Sequence, residues 1–329
     1  MRNLKSGLKK DHSLKKPKPR FFTTKKWGLY STIVFMSIPA ILGIFLFYYL
    51  PIFEAFRYSF LEYTLIAGES TFIGLDNYRR LFNDPQVFIS VRVTIIFFLL
   101  KVPLLMALGL GLALLVRKSS KGTALLRTII LLPTVTSMVV VTTIWGFMYH
   151  PSTGLFNSIL NSLGLPSQQF LTSPTQALPS IVVMTLWKDV GLTMLFYLAG
   201  LLGIPDEYYE AARIDGANGW QQLRYITIPS LNRTNLFILV TSTVSAFRVF
   251  DPVYLTTQGG PMNSTRVIMM LVYSNAFRFG QLGYSSAITV LLVIILVVIS
   301  GFQFLFLGEK GEKPKHKRTV YKPDKVPFV

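Results

Sequence analysis

Residues 287–307 read AITVLLVIILVVISGFQFLFL, a run of 21 residues without a charged side chain. A helix needs about 20 mostly apolar residues to cross a bilayer, so this run is long enough to span one. Similar stretches, some with internal charges, are 28–53, 88–116, 128–149, 181–204 and 234–255. The sequence therefore predicts an all-α, polytopic transmembrane helical bundle with six spans.

Composition favours a membrane protein over a soluble one. Of the 329 residues, 51% are hydrophobic and 15% are charged, whereas a soluble chain usually has about 25% charged residues. The net charge of +18 would suggest nucleic-acid binding if it formed one patch. Most basic residues lie instead in two tails and short loops, which argues against nucleic acid as a partner. The absence of cysteine excludes disulfides, zinc–thiolate sites and a cysteine nucleophile.

Lysine and arginine are unequally distributed between the two sides of the predicted membrane. The N-terminal tail holds ten, the 117–127 loop four, the 204–233 loop three and the C-terminal tail seven, whereas the opposite loops hold five. Since basic residues mark the cytoplasmic side, both termini of this multi-pass chain are predicted to be cytoplasmic. The chain then comprises a basic tail at 1–27, a transmembrane domain at 28–308 and a second basic tail at 309–329.

The loops on the opposite side are predicted to carry structure of their own. Residues 51–86 are numerous enough for a small helical layer, with a short helix at 76–82. After the fifth span, the residues Gln-Gly-Gly-Pro at 258–261 are expected to break the helix. The apolar stretch 267–277 is too short to span a bilayer, so we expect a half-embedded or outer-leaflet helix.

The cytoplasmic segment 205–229 reads PDEYYEAARIDGANGWQQLRYITIP and predicts a helix, a tight turn and a second helix. Pro205 suits a first helical position, and Gly216 can adopt the left-handed conformation that ends the first helix. Asn218 then starts the second helix, with Gln221 three residues later as in a capping box. Pro229 marks where that helix stops or bends. The alternative is an ordinary helix hairpin that merely connects two spans.

The spacing within this loop resembles that of a known family. Glu210-Ala211-Ala212 is followed after three residues by Gly216, and after nine more by Ile-Thr-Ile-Pro at 226–229. This resembles the Glu-Ala-Ala loop of ABC importer permeases, with Ile228 in the place of the usual leucine. Stretches similar to the carbohydrate branch of that family are 72–78, 198–201, 215–217 and 259–261. The resemblance covers roughly residues 30–308 and implies the type I importer permease fold.

The resemblance also implies a function and partners. The chain would be one permease subunit of a binding-protein-dependent importer in a bacterial or archaeal cytoplasmic membrane, with a saccharide as substrate. Its partners would be a second homologous permease, two ATP-binding cassette subunits, an extracytoplasmic solute-binding protein and membrane lipid. No G-x-x-x-x-G-K-[ST] phosphate loop is present, so we expect ATP and Mg²⁺ on the partner ATPase and no cofactor on this chain.

The 204–233 loop would be the part that docks into a cleft on the ATPase. Ala211 and Ala212 are small, so another backbone or a large side chain can approach closely, and Glu210 places a carboxylate beside them. The residues expected to couple the two subunits are Glu210, Ala211, Ala212, Asp215, Gly216, Ile226 and Pro229.

Ionisable side chains within the spans normally face protein or water. Lys188 and Asp189 lie in the fourth span, whereas Arg248 and Asp251 in the fifth are three apart and could pair on one helical face. These charges could form a polar path for a hydroxylated substrate, or they could form interhelical ion pairs and reach an interface. Both interpretations stay open. The aromatic residues available for sugar stacking beside them are Trp187, Phe247 and Tyr254.

The second span carries two more basic residues, Arg92 and Lys101, and two pairs of small residues. Each pair is four residues apart, Ala107 with Gly111 and Gly109 with Ala113. This spacing lets membrane helices approach closely, so it indicates packing rather than chemistry.

An intramembrane enzyme and a receptor or scaffold are the alternative classes. The three histidines are His12, His150 and His316, and two of them lie in the tails. Neither G-x-S-x-G nor H-E-x-x-H occurs, so no nucleophile or zinc-protease motif supports an enzyme. A scaffold would leave the spacing at 210–229 unexplained.

Overall fold

A computed structural model of the chain describes residues 26–64, 68, 70–118 and 120–308, with side chains from Thr32 onward. The described part includes Lys26 and Trp27, and the rest of the basic tails predicted at 1–27 and 309–329 lies outside it. The chain divides into two compact units, Met1–Glu54 and Ala55–Val329. In the first unit, helical side chains such as Phe35 and Phe47 are exposed.

Helices dominate the described residues, as the apolar runs predict. They are α1 (Lys26–Ile44), α2 (Leu50–Tyr58), α3 (Asp76–Asn83), α4 (Pro85–Leu115), α5 (Lys121–Val135), α6 (Met138–Met148), α7 (Leu155–Ser162), α8 (Ala177–Leu202), α9 (Asp206–Ile214), α10 (Gly219–Gln222), α11 (Ile228–Ser230), α12 (Asn232–Phe247), α13 (Asp251–Thr256), α14 (Ile268–Tyr273) and α15 (Leu282–Leu307). Wider π-helical turns are Phe45–Tyr49, Leu223–Thr227 and Ser274–Arg278, and a 3₁₀ turn is Phe170–Thr172. Strands β1 (Leu61–Tyr63) and β2 (Ser70–Phe72) form an antiparallel hairpin with Leu61 opposite Phe72.

Within the described residues, five helical stretches are long and apolar enough to cross a membrane. They are Thr32–Tyr58, Pro85–Leu115, Ala177–Leu202, Asn232–Thr256 and Leu282–Leu307. The pair α5 and α6 makes a sixth span if the two helices cross together. The predicted all-α membrane bundle is therefore confirmed, with five or six candidate spans.

The third predicted span, 128–149, is wrong as a continuous helix. The axes of α5 and α6 differ by 99°. Pro133 lies in the last turn of α5, where its ring removes a backbone donor. Thr136 and Ser137 follow with ψ angles of 139° and 140°, which are extended values that end the helix.

The central packing of the second unit joins α4 to α8. A Cβ atom placed on Gly109 would lie 2.6 Å from the Thr193 Cγ2 atom, so these helices approach at van der Waals limits. Ala113 lies on the same stripe and is fully buried, whereas Gly111 faces open space. The small-residue prediction is confirmed for Gly109 with Ala113, whereas Ala107 and Gly111 are exposed in this chain and their packing stays a prediction.

The segments predicted to lie on the side opposite the 205–229 loop differ partly from the prediction. The short helix is confirmed as α3, but the segment before it forms the β1–β2 hairpin instead of a helical layer. The stretch 267–277 forms α14 and a π-helical turn, with Ile268, Met270 and Leu271 buried by protein. Neighbouring helices, rather than lipid, therefore surround the apolar residues of α14.

Candidate functional site

The loop at 205–229 has the predicted helix–turn–helix form. Gly216 has φ +80°, and its N–H donates to the Arg213 carbonyl at 3.1 Å. The Ala217 N–H donates to the Ala212 carbonyl at 2.8 Å, which completes a Schellman ending for α9. Asp215 is the residue that caps this helix. Glu210, Ala211 and Ala212 thus occupy the last turns of α9, directly before a fixed corner.

The second helix of the loop begins with a reciprocal cap. The Gln221 N–H donates to Asn218 Oδ1 at 2.9 Å, and the Asn218 N–H donates to Gln221 Oε1 at 2.7 Å. Ile226 lies in the π-helical turn that follows, and Pro229 lies in α11. The predicted capping box is confirmed. Pro205 is the N-cap of α9 rather than its first residue, because helical geometry begins at Asp206.

Three contacts tie the first loop helix to the membrane helices and to the second loop helix. Arg117, at the end of α4, donates from Nη2 to Asp206 Oδ1 at 2.9 Å. The Arg117 guanidinium also lies 4.7 Å from the centroid of the Tyr209 ring. The Tyr209 hydroxyl lies 3.1 Å from the hydroxyl of buried Thr227. A displacement of α9 would therefore act on the end of α4 and on the second loop helix.

The outward surface of the loop is apolar to an unusual degree for a solvated segment. Ile214 is 86% exposed, Trp220 67% and Tyr225 71%. Glu210 is also exposed. Exposed apolar groups of this size in one loop are typical of a surface that binds another protein or a membrane.

The charges in the fourth span have separate partners. Asp189 accepts a hydrogen bond from Lys101 of α4, with Nζ 2.7 Å from Oδ2. The neighbouring Lys188 donates from Nζ to the Thr134 carbonyl at 3.1 Å, and the Thr134 hydroxyl donates to the Lys188 carbonyl at 3.1 Å. That Thr134 carbonyl belongs to the last turn of α5, where the helix leaves carbonyls without partners. Lys188 therefore caps the broken helix.

A cavity of about 290 Å³ lies beside the Lys101–Asp189 pair, between α4, α8 and α12. Its polar wall consists of the ion pair and five hydroxyl-bearing side chains, Thr134, Thr193, Thr241, Ser242 and Ser245. Its apolar wall includes Phe196 and Phe237, whose rings meet edge to face at 5.1 Å. Hydroxyls, a carboxylate and an aromatic wall are the groups that recognise a hydroxylated ligand.

The predicted pairing of Arg248 with Asp251 is wrong. α12 ends at Phe247, and the backbone of Phe250 has φ −140° and ψ −62°, so the two charges do not share one helical face. Both side chains are exposed in this chain. Within the described residues, neither has an ion-pair partner.

The three predicted aromatic residues lie in different surroundings. Phe247 is 1% exposed and packs against Phe98, with 5.7 Å between the two ring centroids. Its ring is therefore not open to a ligand in this conformation. Trp187 is 45% exposed, and its ring centroid lies 5.7 Å from that of Trp145. Tyr254 stacks on Phe250 at 5.1 Å and is half-buried. Trp187 and Tyr254 keep accessible ring surface, whereas Phe247 does not.

Sequence reasoning did not single out Arg117, Tyr209 or the hydroxyls of the cavity. Lys101 was visible as a charge within an apolar run, but its partner is 88 residues away. The one available signal was electrostatic, because a basic residue and an acidic residue at membrane depth are each expensive unless they pair. Arg117 and Tyr209 carry no such signal, since both lie in polar loop sequence.

Comparison with known proteins identifies the class. Residues 105–307 match the family described as binding-protein-dependent transport system inner membrane component. The chain belongs to this family and is a multi-pass membrane permease component of an ABC transporter. The resemblance inferred from the loop spacing is thereby confirmed.

Individual relatives are similar over most of their length. A probable ABC transporter permease protein of Pyrococcus horikoshii is 36% identical over 284 residues, which cover 85% of this chain and 97% of that protein. The trehalose/maltose transport system permease protein MalF of Thermococcus litoralis is 35% identical over 262 residues, or 80% of this chain and 88% of that protein. The sn-glycerol-3-phosphate transport system permease protein UgpA of Brucella suis is 34% identical over 277 residues, or 84% and 94%.

A solved structure supports the same fold. A bacterial ABC transporter involved in the import of the acidic polysaccharide alginate contains a chain that superposes with a TM-score of 0.75 and 26% sequence identity. The match covers 86% of this chain and 95% of that one. In a second structure, that of a bacterial alginate ABC transporter in complex with alginate pentasaccharide-bound periplasmic protein, the TM-score is 0.71.

Proposed function

We propose that this chain and a second permease of the same family form the membrane path of a saccharide importer driven by two cytoplasmic ATPase subunits. The observation that carries the proposal is the exposed, rigidly capped loop at 205–229, which presents Glu210 and apolar rings to a partner. A saccharide is favoured because relatives named for trehalose/maltose, lactose and alginate transport share the fold or the sequence. An extracytoplasmic binding protein would deliver it.

Glu210 and Gly216 have distinct parts in this proposal. The Glu210 carboxylate would accept a charge-assisted hydrogen bond from a basic group on the ATPase. Gly216 sets the angle between the two loop helices, and the contacts of Asp206 and Tyr209 carry a displacement of α9 to α4 and to the second loop helix. Ala211, Ala212, Asp215, Ile226 and Pro229 would shape the docking surface. ATP and Mg²⁺ would bind to the partner subunits.

The proposed substrate path uses the polar groups at membrane depth. Asp189 lines the 290 Å³ cavity, while Trp187, Arg248, Asp251 and Tyr254 present exposed or half-buried groups. Lys188 would act indirectly, through the end of α5 that it caps, and Phe247 through its contact with Phe98 of α4. With both termini on the cytoplasmic side, the loop faces the ATPase and this path lies between the two permeases.

Matched glycine variants test the coupling role. Gly216→Ala places a side chain at φ +80°, which costs about 1 kcal/mol or more, whereas Gly219 lies at a helix start without positive φ and has open space around it. Substrate uptake and ATPase activity stimulated by the loaded binding protein should fall for Gly216→Val and Gly216→Ala, in that order of severity. Gly219→Ala should retain both activities.

A charge variant separates docking from geometry. Glu210→Lys presents like charge to a basic partner and should release the ATPase during purification, while membrane insertion is unchanged. Wild-type uptake and stimulation in both Glu210→Lys and Gly216→Val would mean that the loop is only a connector. Independently of these variants, a screen of saccharides for stimulation of ATP hydrolysis by the reconstituted complex would identify the substrate.

A further inference from the structure

A basic cavity of about 580 Å³ lies where the ends of α4 and α8 meet the cytoplasmic loop. Its walls carry three cations, Arg117, Lys118 and Arg213, and a single carboxylate, Asp206. The lining therefore has an excess of two positive charges. Neither the docking surface formed by Glu210 and the exposed rings nor the membrane-depth cavity uses these groups.

The cations keep unused hydrogen-bonding capacity. A guanidinium has five N–H donors. Arg117 uses Nη2 for Asp206, and Arg213 uses Nε for the Tyr209 carbonyl at 3.3 Å. Within the described residues, Lys118 has neither an ion pair nor a hydrogen bond through its side chain. An anion that enters the cavity would therefore meet free donors from two elements.

The position of the cavity selects the kind of anion. α4 ends at Leu115 and α8 at Leu202, and these two side chains are 65% and 67% exposed. Leu201, Leu202 and Ile204 line the cavity beside the cations. Arg117 and Lys118 directly follow one spanning helix, and Arg213 faces the same cavity from α9. Basic groups next to a span end, with apolar surface adjacent, suit headgroup depth with acyl chains alongside. A soluble anion would make no favourable contact with that apolar wall, whereas a lipid would place an acyl chain against it.

We propose that Arg117, Lys118 and Arg213 bind the phosphate of an anionic phospholipid of the cytoplasmic leaflet. The headgroup phosphate would bridge the end of α4 to α9, while an acyl chain would follow Leu202. Arg213 and Tyr209 belong to the first loop helix, so the bound lipid would restrain the segment that we assign to coupling. This regulatory consequence rests on the proposed function, whereas lipid binding itself does not.

The test measures lipid retention directly. The assembled transporter would be purified from bilayer nanodiscs that contain phosphatidylglycerol and phosphatidylcholine, and the retained lipid would be quantified by mass spectrometry. Lys118→Gln combined with Arg213→Gln should weaken phosphatidylglycerol retention on the order of tenfold or more, because each cation near an anionic surface contributes several-fold. Lys121→Gln is the matched control, since Lys121 is exposed in the same loop region but does not line the cavity, and it should retain wild-type lipid.

Two further arms exclude other anions. Inorganic phosphate at millimolar concentration should not displace the retained phosphatidylglycerol, and displacement would assign the cavity to a soluble phosphate instead. Loss of the ATPase subunits with unchanged lipid retention in the double variant would assign the cations to a protein partner and overturn the proposal. Equal retention in the wild type, the double variant and Lys121→Gln would overturn it as well. None of these readouts requires transport, so the outcome stands apart from that of the coupling test.

Discussion

Lys101 on α4 and Asp189 on α8 form an ion pair near the middle of both helices, with Nζ 2.7 Å from Oδ2. Their exposures are unequal, because the lysine side chain is 5% exposed and the aspartate side chain 36%. Asp189 can therefore be hydrated from the adjacent cavity, whereas Lys101 depends on its partner. This asymmetry makes the two single substitutions unequal.

Asp189→Leu should destabilise the protein more than Lys101→Met does. Removing Asp189 leaves a buried ammonium without a partner, which costs about 3–5 kcal/mol. Removing Lys101 leaves a carboxylate that water can reach, so its cost is smaller. The double variant should recover most of the lost stability, because no unpaired charge remains. Midpoints of thermal unfolding in detergent, together with the amount in the membrane, measure this order, and equal losses in both single variants would contradict it.

The same double variant decides between the two interpretations that the sequence leaves open. If it accumulates and takes up substrate at a wild-type rate, the pair is an interhelical strut. If it accumulates but uptake is lost, the pair is part of the substrate path through the cavity that it lines. The purely apolar pair keeps the packing in either case, so stability and transport are read separately.

The elements that sequence predicts well are those whose physics is local. The ending of α9 at Gly216 and the box formed by Asn218 and Gln221 depend on residues within five positions of each other, and both are confirmed. The apolar runs also give the spans to within a few residues, because length and hydropathy are summed over one segment.

The features that sequence misses depend on contacts between distant segments. β1 and β2 have three residues each, too few to show an alternating pattern, and the hairpin is set by packing beside α15. The break in α5–α6 is stabilised by Lys188, which lies 54 residues from Thr134. The sequence of a single segment does not indicate a contact with a distant residue. The apolar run 128–149 is therefore predicted as one continuous helix.

Gly109 offers a test of the α4–α8 contact with an internal control. Gly109→Val should destabilise the protein by about 1–3 kcal/mol, because its Cβ would meet Thr193 Cγ2 at 2.6 Å. Gly111→Val two residues away points into open space and should be neutral in thermal unfolding. Thr193→Ser removes the clashing methyl, so it should partly rescue Gly109→Ala. A failure of that rescue would mean that the contact is not the cause.

The bent pair α5–α6 raises a topological question that labelling can answer. Lys121 begins α5, Ser152 follows α6, and both are exposed. We expect single cysteines at these positions to react with a membrane-impermeant maleimide from opposite sides, since the bent pair would cross the bilayer once. The native chain has no cysteine and provides a clean background. Labelling of both positions from one side would make the pair a re-entrant loop and leave five spans.

Arg248 and Asp251 should affect transport without affecting stability. They flank the break between α12 and α13, and both side chains are exposed, so neither neutralises a buried charge. Charges at membrane depth persist where they face water or another protein, so under the proposed function this break lies on the substrate path or against the second permease. The free energies of unfolding of Arg248→Ala and Asp251→Asn should therefore lie within about 0.5 kcal/mol of the wild-type value, as is usual for exposed substitutions.

Uptake kinetics then assign the role of the break. If the charges contact the substrate, each variant should lower the uptake rate on the order of tenfold at low saccharide concentration, and Arg248→Lys should retain more activity than Arg248→Ala because it keeps the charge. Asp251→Asn keeps a hydrogen-bonding side chain at the start of α13, so any loss of uptake in this variant is attributable to the lost charge. Normal uptake in all three variants would remove the break from the path. Failure of Arg248→Ala to assemble with the second permease, despite a normal unfolding midpoint, would assign the exposed guanidinium to the interface between the two subunits.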